Sequence, residues 1–276
     1  MKLAILSGKG GTGKTTVSSN LAYITKNLLI DTDIEEPNAH IFLKPKDIDI
    51  SPVFTHYPVV DGEKCTLCGK CGDFCRFNAI ISSRKKVLVF EESCHDCGGC
   101  EIICNSKAIS YKEREIGNIF SGKTFFDSPM KYGKLNIGEM SGVKIIKEVY
   151  SKTKEPNFII DCPPGTSCTT VASVEIAQFA VIVTEPSPFG LSDMKLVVEL
   201  LNDLKIPFGI IINKSLGDDK EILEFSSKNN IPILGKISFD KDIAKNYAKG
   251  EILSHINPKY KEIFENIWNE VKKYEI

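Results

Sequence analysis

Short apolar runs alternate with amphipathic stretches over most of the chain. The first run, residues 3–7, is followed by a glycine-rich loop at 8–14 and then by a pattern typical of a helix from about residue 15 to residue 26. Apolar strands separated by helices indicate an α/β fold with a mostly parallel sheet covered on both faces. The other strand-like runs are 28–31, 158–161, 180–184, 207–213 and 231–237.

The middle of the chain has a different texture. Residues from about 60 to 112 are rich in cysteine and glycine, with one strand-like run at 86–90 and an internal repeat of two cysteine runs. The stretches on either side share the strand and helix alternation. We therefore predict that 60–112 is an inserted domain, and that 1–59 and 113–276 are the two parts of one α/β domain.

Composition and charge exclude several classes of protein. The 276 residues carry 35 Lys+Arg and 36 Asp+Glu, a net charge of -1, which argues against a general nucleic-acid binder. No apolar run approaches the ~18 residues that a membrane span needs, and the N-terminal run is too short for a signal peptide. We expect a soluble, cytoplasmic protein. Eight of the ten cysteines fall between Cys65 and Cys104, which indicates metal or cluster ligands, not disulfides.

Residues 8–15 satisfy the pattern G-x-x-x-x-G-K-[ST] between a predicted strand and a predicted helix. Glycines let backbone N–H groups converge on phosphate oxygens, and the helix adds its positive N-terminal end. In such a loop Lys14 would reach the β- and γ-phosphates and the Thr15 hydroxyl would bind Mg²⁺. A chance glycine-rich turn is the alternative. The predicted nucleotide-binding residues of the loop are Gly8, Gly10, Gly11, Thr12, Gly13, Lys14, Thr15 and Thr16.

The loop carries a second lysine, Lys9, directly after its first glycine, so that residues 9–16 read K-G-G-T-G-K-T-T. This resembles the deviant Walker A motif of the MinD/Mrp family of ATPases. In that family the additional lysine reaches across a dimer interface to the other subunit's nucleotide. The resemblance implies this role for Lys9, and with it ATP hydrolysis by an ATP-dependent homodimer or by a heterodimer with a similar ATPase. The alternative is an exposed loop lysine without a partner.

Open α/β sheets bind their ligands at the carboxyl ends of the strands. Three later strand ends of this chain also resemble the corresponding segments of that family. Residues 31–38 look like its switch I segment, which implies that Asp33 positions or activates the attacking water. The apolar strand 158–161 ends in Asp161, a Walker B pattern suited to a Mg²⁺-bound water, and runs into a segment similar to switch II. Asn213 looks like the family's adenine-contacting asparagine. The implied catalytic residues are Lys9, Lys14 and Asp33.

The two cysteine runs are copies of C-x2-C-x2-C-x3-C. In two-cluster ferredoxins the fourth cysteine of each run serves the other cluster. Structural zinc is the alternative, although zinc sites usually have longer spacers between C-x2-C pairs. Arg76 and Asn105 stand where the bacterial pattern has proline. The spacing predicts one [4Fe–4S] cluster on Cys65, Cys68, Cys71 and Cys104, and a second on Cys94, Cys97, Cys100 and Cys75.

Taken together, the chain resembles MinD-superfamily ATPases that contain an inserted two-cluster ferredoxin domain. The implied cofactors are ATP, Mg²⁺ and two [4Fe–4S] clusters. The first hypothesis is an ATP-gated redox protein that transfers electrons to a partner protein. The second is an ATP-controlled binding, assembly or cluster-delivery factor whose clusters are sensory or structural. Under either hypothesis the partner is a redox or cluster-accepting protein. We expect no nucleic-acid partner and no membrane span in this chain.

Some features have no assigned chemistry. The segment 135–142 fits the same group of proteins but has no evident role. Cys162 follows the Walker B aspartate and is expected to be buried, whereas Cys168 could serve as a ligand toward a partner. A C-terminal apolar stripe invites comparison with the membrane helix of MinD, but its acidic other face favours packing on the sheet. The stripe consists of Ile263, Phe264, Ile267, Trp268 and Val271.

Overall fold

A computed structural model describes residues 1–275, in which helices cover both faces of a nine-stranded sheet. The strands are β1 (Lys2–Leu6), β2 (Leu28–Asp31), β3 (Lys46–Val60), β4 (Ile80–Ser82), β5 (Val87–Val89), β6 (Ile109–Lys123), β7 (Pro129–Leu135), β8 (Phe158–Asp161), β9 (Phe179–Thr184), β10 (Phe208–Ser215) and β11 (Ile233–Ser238). The α helices are α1 (Lys14–Thr25), α2 (Ala39–Leu43), α3 (Lys70–Phe74), α4 (Gly99–Ile102), α5 (Val143–Ser151), α6 (Cys168–Val174), α7 (Pro188–Asp203), α8 (Lys220–Lys228), α9 (Lys241–Ala248), α10 (Leu253–Ile256) and α11 (Pro258–Lys272).

The large sheet has the order β11-β10-β9-β1-β8-β2-β7-β6-β3. Its strands from β11 to β7 run parallel, and β6 and β3 continue the sheet in antiparallel pairing. The central strands β2, β8 and β9 are buried along their whole length, which explains their continuous apolar sequences. The prediction of an α/β fold with a mostly parallel sheet is confirmed.

The strands β3 and β6 were not predicted from the sequence. They are 15 residues each and pair from Lys46 with Lys123 to Val60 with Ile109, so that residues 61–108 lie beyond the outer end of this ribbon. β3 is the edge strand and contains Pro52 and Pro58, which an edge tolerates because one side of the strand has no partner. Prolines and a mostly exposed surface hide such a strand from pattern analysis.

The internal sequence repeat is also a repeat of backbone conformation. Two left-handed positions in the first cysteine run and one just after it recur in and after the second run, at the same offset as that between Cys65 and Cys94. Each run places a left-handed glycine directly before a short helix, α3 or α4. The chain can therefore turn sharply after the second cysteine of each run. The recurring pairs are Leu67 and Asp96, Gly69 and Gly98, and Asn78 and Lys107.

The C-terminal helix α11 packs on the sheet. Its buried residues belong to the same apolar layer as Leu3 and Ile5 of β1, which confirms the predicted packing of the stripe. Across residues 1–275, no helix is both long enough and apolar enough to cross a membrane. The residues of α11 that are buried are Tyr260, Phe264, Ile267 and Val271.

Candidate functional site

The phosphate-loop sequence connects β1 to α1 at the carboxyl edge of the sheet. Gly13 has a left-handed backbone (φ 100°), and a Cβ at this position would lie 2.2 Å from Nδ2 of Asn213. A Cβ on Gly8 would lie 2.3 Å from the carbonyl oxygen of Asp193 in α7. Both glycines are therefore required by close approach of other elements. No side chain caps α1, which leaves its first N–H groups available to a ligand.

Lys14 is buried, and its Nζ donates to Oγ of Ser7 at 3.1 Å. Within the described residues, no carboxylate lies within ion-pair distance of this ammonium group. A buried charge without a counterion is costly, and an anionic ligand would remove that cost. The position of Lys14 therefore fits the binding of a phosphate group.

Asp161 ends β8 and is only 2% exposed. Its Oδ1 has no hydrogen-bond partner in the described part of the chain. Burial raises the pKa of Asp161 to about 6, although Thr15, Lys14 and Ser18 oppose this rise. An orphaned buried carboxylate oxygen beside the Thr15 hydroxyl fits a Mg²⁺ ion and its bound waters.

Asp31 organises the loop that carries Asp33, a role that the sequence analysis missed. Its Oδ1 accepts from the N–H of Asp33, and its Oδ2 accepts from the N–H groups of Asn38 and Ala39, each at 3.0 Å. The signal for this role was present, since aspartate after a strand often bonds to the backbone two residues on. Asp33 is half-buried, and burial raises its pKa against the opposing charge of Lys14.

A cavity of 390 Å³ opens in front of the phosphate loop. Of the predicted nucleotide-site residues, Gly8, Lys9, Thr12 and Asp161 do not line it. One wall is apolar. Apart from Pro164, which follows β8, it comes from the loop after β11 and from α9, which the sequence analysis missed because only tertiary packing brings them here. The predicted residues that line it are Gly10, Gly11, Gly13, Lys14, Thr15, Thr16, Asp33 and Asn213, and the apolar wall is Pro164, Phe239, Ile243, Ala244 and Tyr247.

Asn213 ends the buried part of β10 and contacts the phosphate loop. Its Nδ2 donates to the carbonyl oxygen of Thr12 at 2.7 Å. The amide nitrogen is thus committed to the loop, and Oδ1 is the polar atom left for a ligand. Asn213 therefore fixes the loop's shape in addition to lining the cavity.

Lys9 is paired within its own chain. Its Nζ contacts Oε1 of Glu185, which follows β9. Oε2 of the same carboxylate lies 3.3 Å from Nζ of Lys214, which also donates to the carbonyl oxygen of Gly11 at 2.8 Å. We call Lys9, Glu185 and Lys214 the lysine clasp. The alternative of an exposed loop lysine without a partner is therefore wrong, since Glu185 holds Lys9 in the single chain.

The eight cysteines of the two runs line two cavities, four in each. One cavity, of 560 Å³, is lined by Cys75 of the first run and by three cysteines of the second. The other is much smaller, 20 Å³, and is lined by Cys104 of the second run and by three cysteines of the first. The fourth cysteine of each run thus lies with the other run. The first set is Cys75, Cys94, Cys97 and Cys100, and the second set is Cys65, Cys68, Cys71 and Cys104.

Polar groups surround several of these thiols. Sγ of Cys104 accepts from the N–H of Ala108 at 3.3 Å, and the Ser106 hydroxyl, followed by backbone amides, lowers the pKa of this thiol. Sγ of Cys100 lies 3.1 Å from the hydroxyl of Tyr111. Across residues 1–275, no three His, Cys, Asp or Glu side chains converge as the ligands of a single metal ion. The thiols stand around the two cavities instead.

The two remaining cysteines lie outside these cavities. Cys162 is fully buried, as expected from the sequence, and burial raises the pKa of its thiol well above the ordinary value. Cys168 is exposed at the start of α6. Neither has a contact that assigns it a chemical role.

Comparison with known proteins agrees with this geometry. Residues 3–253 match the model of the CobQ/CobB/MinD/ParA nucleotide binding domain. The uncharacterised protein MJ0579 of Methanocaldococcus jannaschii is 34% identical over 91% of this chain and 90% of its own length. MJ0578 of the same organism is 31% identical over 99% and 97%, respectively. An iron-sulfur cluster carrier protein of Aquifex aeolicus is 27% identical over 96% of this chain and 65% of its own length.

Solved structures share the fold. The cell division ATPase MinD of Pyrococcus furiosus matches with a TM-score of 0.61 and 21% identity, over 99% of this chain and 98% of that one. The septum site-determining protein MinD of Pyrococcus horikoshii OT3, complexed with Mg-ADP, matches with a TM-score of 0.61 and 21% identity over 99% and 96%. Since the family model spans nearly the whole chain and the phosphate loop stands where this fold requires it, the chain belongs to the CobQ/CobB/MinD/ParA family of nucleotide-binding proteins and has the fold of its MinD-type ATPases.

Proposed function

We propose that the protein binds and hydrolyses ATP with Mg²⁺, and that a nucleotide-driven change of its dimer is coupled to electron transfer through two [4Fe–4S] clusters to a partner protein. One observation carries the proposal: the fourth cysteine of each run lines the cavity of the other run, in a chain that also holds a phosphate-loop site. This arrangement matches the crossed ligation of two-cluster ferredoxins, in which the fourth cysteine of each run serves the other cluster.

On the nucleotide side, each residue has a chemical task. Lys14 meets the β- and γ-phosphates, because it is a buried ammonium group with no carboxylate at ion-pair distance among residues 1–275. The Thr15 hydroxyl would bind Mg²⁺, and Asp161 would accept from a water bound to this ion. Asp33 orients the attacking water from the loop that Asp31 holds. The base lies against the apolar wall, where Oδ1 of Asn213 is the available acceptor.

On the cysteine side, the chain shapes and tunes two sites. The left-handed glycines Gly69 and Gly98 let the backbone turn around each group of thiols, and Gly72 and Gly99 bring other side chains close to it. Hydrogen bonds to sulfur and solvent exposure set cluster potentials, so the bond to Cys104 from the Ala108 amide acts on the potential. When bound, the clusters supply one-electron chemistry.

Cluster delivery to another protein is a second candidate function. The iron-sulfur cluster carrier protein of Aquifex aeolicus aligns with 96% of this chain, which favours this candidate. Cys68 and Cys97 are also exposed, one in each run, so an acceptor's thiols could reach both sites. Under this candidate the clusters leave the protein, whereas under the first they stay and change only their charge.

Iron content tests the cysteine assignment. Anaerobically purified protein is expected to carry about eight irons per chain and, once reduced, the EPR signal of [4Fe–4S] centres. Cys65→Ser and Cys94→Ser should each perturb a different cluster. Cys168→Ser is the matched control, since this exposed thiol lies outside both cavities, and it should retain all the iron. Zinc in place of iron, or only four irons in the wild type, would contradict the assignment.

A second assay separates the two candidate functions. In one anaerobic reaction, the reduced protein is mixed with ATP and an excess of the apo form of a [4Fe–4S] ferredoxin. In a separate reaction, it is mixed with ATP and the oxidised holo form of the same ferredoxin. Electron transfer predicts that the holo form is reduced while this protein keeps its iron. Cluster delivery predicts that iron moves to the apo form and that the holo form stays oxidised.

A further inference from the structure

The segment 135–142, which has no role in the site described above, touches the loop that carries Asp33. The carbonyl oxygen of Ile34 accepts from the N–H of Leu135 at 2.8 Å. Ile34 is buried, and a Cβ on Gly142 would lie 1.6 Å from its Cδ1. Because Ile34 directly follows Asp33, the chain leaves little room for Asp33 to move without moving the start of α5.

The same isoleucine packs with α5 through a second glycine. A Cβ on Gly133 of β7 would lie 2.6 Å from Cγ2 of Ile145 and 2.8 Å from Cγ2 of Ile34. Both isoleucines are buried in one apolar layer. The first turn of α5 is thus seated on the residue next to Asp33.

The exposed side of that first turn is tied to the second cysteine run. Nζ of Lys144 donates to Oδ2 of Asp96 at 2.6 Å. Asp96 lies between Cys94 and Cys97 and has a left-handed backbone (φ 52°). The same Oδ2 accepts from the N–H of His56 at 3.2 Å and lies 3.0 Å from its Nδ1. The loop between two thiols of one cavity is therefore held by α5 and by β3.

A second tie comes from the middle of the segment. One terminal nitrogen of Arg114 donates to Oε1 of Glu139, and the other donates to the carbonyl oxygen of Glu91 at 3.2 Å. The side chains of Arg114 and Glu139 are only 17% and 11% exposed, so water screens this pair less than a surface pair. Glu91 begins the short 3₁₀ turn that leads into Cys94.

A crevice of 250 Å³ separates the two sides and gives them room to move. It is lined on one side by residues such as Cys94 and His95, and on the other by Met140 and Lys144.

The first cysteine run has no comparable tie: in the described part of the chain, no ion pair joins residues 65–71 to α5 or to 135–142. Among the described residues, hydrogen bonds and ion pairs therefore connect the second cysteine run, but not the first, to α5 and to the segment 135–142.

We propose that residues 135–144 form a relay that couples the position of the Asp33 loop to that of the loop between Cys94 and Cys97, with Glu139 and Lys144 as its positioning residues. This inference rests on the proposed function. The nucleotide state then changes the reduction potential of the second cluster, held by Cys75, Cys94, Cys97 and Cys100, more than that of the first. Cluster potentials follow nearby charge, hydrogen bonds and solvent exposure, and the relay moves all three.

Thermodynamic linkage makes the effect reciprocal. If ATP shifts the potential of the second cluster, reduction of that cluster must shift the affinity for ATP by the same free energy. A tenfold change in affinity corresponds to about 59 mV for one electron. The coupling can therefore be measured from either end of the relay.

The test is an EPR-monitored redox titration of the cluster-loaded protein, with a non-hydrolysable ATP analogue or with ADP. The signals are assigned with Cys65→Ser and Cys94→Ser. In the wild type, the second potential should differ between the two nucleotides by more than the first. Lys144→Met should make this difference smaller. Expressed as the ratio of the ATP affinities of the oxidised and the reduced protein, the effect of the nucleotide should fall at least threefold. Lys147→Met is the matched control, because Lys147 lines the same crevice on the same helix but is exposed, and it should keep the wild-type difference.

Hydrogen exchange gives a readout that does not depend on redox activity. The analogue should change amide exchange at residues 32–38 in the wild type and in Lys144→Met, but at 91–97 only in the wild type and in Lys147→Met. An equal change at 91–97 in Lys144→Met would overturn the relay. So would equal potentials with both nucleotides, in a wild type that holds eight irons and binds ATP. Absence of iron or of ATP binding would instead overturn the proposed function.

Discussion

At the scale of single residues, two neighbouring aspartates show how partners decide a role. Asp31 and Asp161 are directly paired in register at the ends of β2 and β8, and both are buried. The Asp31 carboxylate accepts hydrogen bonds from three backbone N–H groups and so stabilises the structure of the loop. One carboxylate oxygen of Asp161 has no hydrogen-bond partner among the described residues, which makes Asp161 the better candidate for chemistry with Mg²⁺.

The raised pKa of Asp161 predicts how stability depends on pH without nucleotide and Mg²⁺. Its pKa is about 6 in the folded protein against 3.8 ordinarily, so the folded state binds the proton more readily than the unfolded state. This group's contribution to the free energy of unfolding therefore falls as pH rises from about 4 to about 6, by about 3 kcal/mol. Asp161→Asn removes the buried charge and should be more stable than the wild type at pH 7.5, by about 1–3 kcal/mol.

Urea unfolding between pH 4 and pH 8 checks this expectation. Asp203→Asn, at the exposed end of α7, is the control and should behave as the wild type. Mg-ADP affinity should also fall in the wild type below about pH 6, because protonation competes with the ion. An Asp161→Asn protein that is less stable than the wild type at pH 7.5 would contradict the assigned cost of burying this charge.

At the scale of elements, the ribbon of β3 and β6 positions the cysteine-rich segment. Its register shifts between Val53 and Phe54, which pair with Gly117 and Glu115, and Ile116 between them forms a bulge. Ile116 is buried in the apolar layer that also contains Ile145 of α5. The bulge therefore fixes the ribbon against the helix of the proposed relay.

Gly117→Ala should disturb this arrangement. A Cβ at residue 117 would lie 2.2 Å from the carbonyl oxygen of Lys134 and 2.6 Å from Cδ1 of Ile145, so either β7 or α5 must move. We expect a loss of about 1–3 kcal/mol in the free energy of unfolding, measured by urea titration. Gly62→Ala is the control, since nothing lies within 4 Å of its Cβ position. Equal stability of the two variants would show that the ribbon is not fixed at Gly117.

At the scale of the whole molecule, the lysine clasp bears on assembly. A lysine that serves a neighbouring subunit's nucleotide must first leave its own carboxylate. Burial works to raise the pKa of Glu185, but Lys9 and Lys214 lower it below its usual range, so the carboxylate stays charged at neutral pH. The clasp thus competes with any contact that Lys9 makes across an interface.

We expect ATP, and not ADP, to dimerise the protein through Lys9. In an Asp33→Ala background that blocks turnover, light scattering should show ATP-dependent dimers that disappear with Lys9→Ala. Glu185→Gln should release Lys9 and shift dimer formation to lower ATP concentration, by about threefold or more. Lys228→Ala, at the exposed end of α8, is the control. Dimers that persist with Lys9→Ala, or that form equally with ADP, would remove the basis for a lysine exchanged between subunits.

The sequence by itself determined the features that depend on neighbours along the chain. The glycine pattern of the phosphate loop reflects backbone conformation within eight residues, and the structure places this loop between a strand and a helix as predicted. The buried parallel strands are continuous apolar runs, because both faces of each are covered. The spacing of the cysteine runs predicted two sets of four thiols as cluster ligands. The ligation stays a prediction, and the structure places the four thiols of each set around one cavity.

Tertiary structure alone decided the contacts between elements that are distant in sequence. Strands β3 and β6 are stabilised by pairing with each other, and β6 also pairs with β7, so their own sequences carry little signal. The apolar wall of the nucleotide cavity, the carboxylate that holds Lys9 and the ties of Lys144 and Arg114 join residues far apart in the chain. Such partners follow from strand register and helix packing, which set distances in space that no local pattern of residues records.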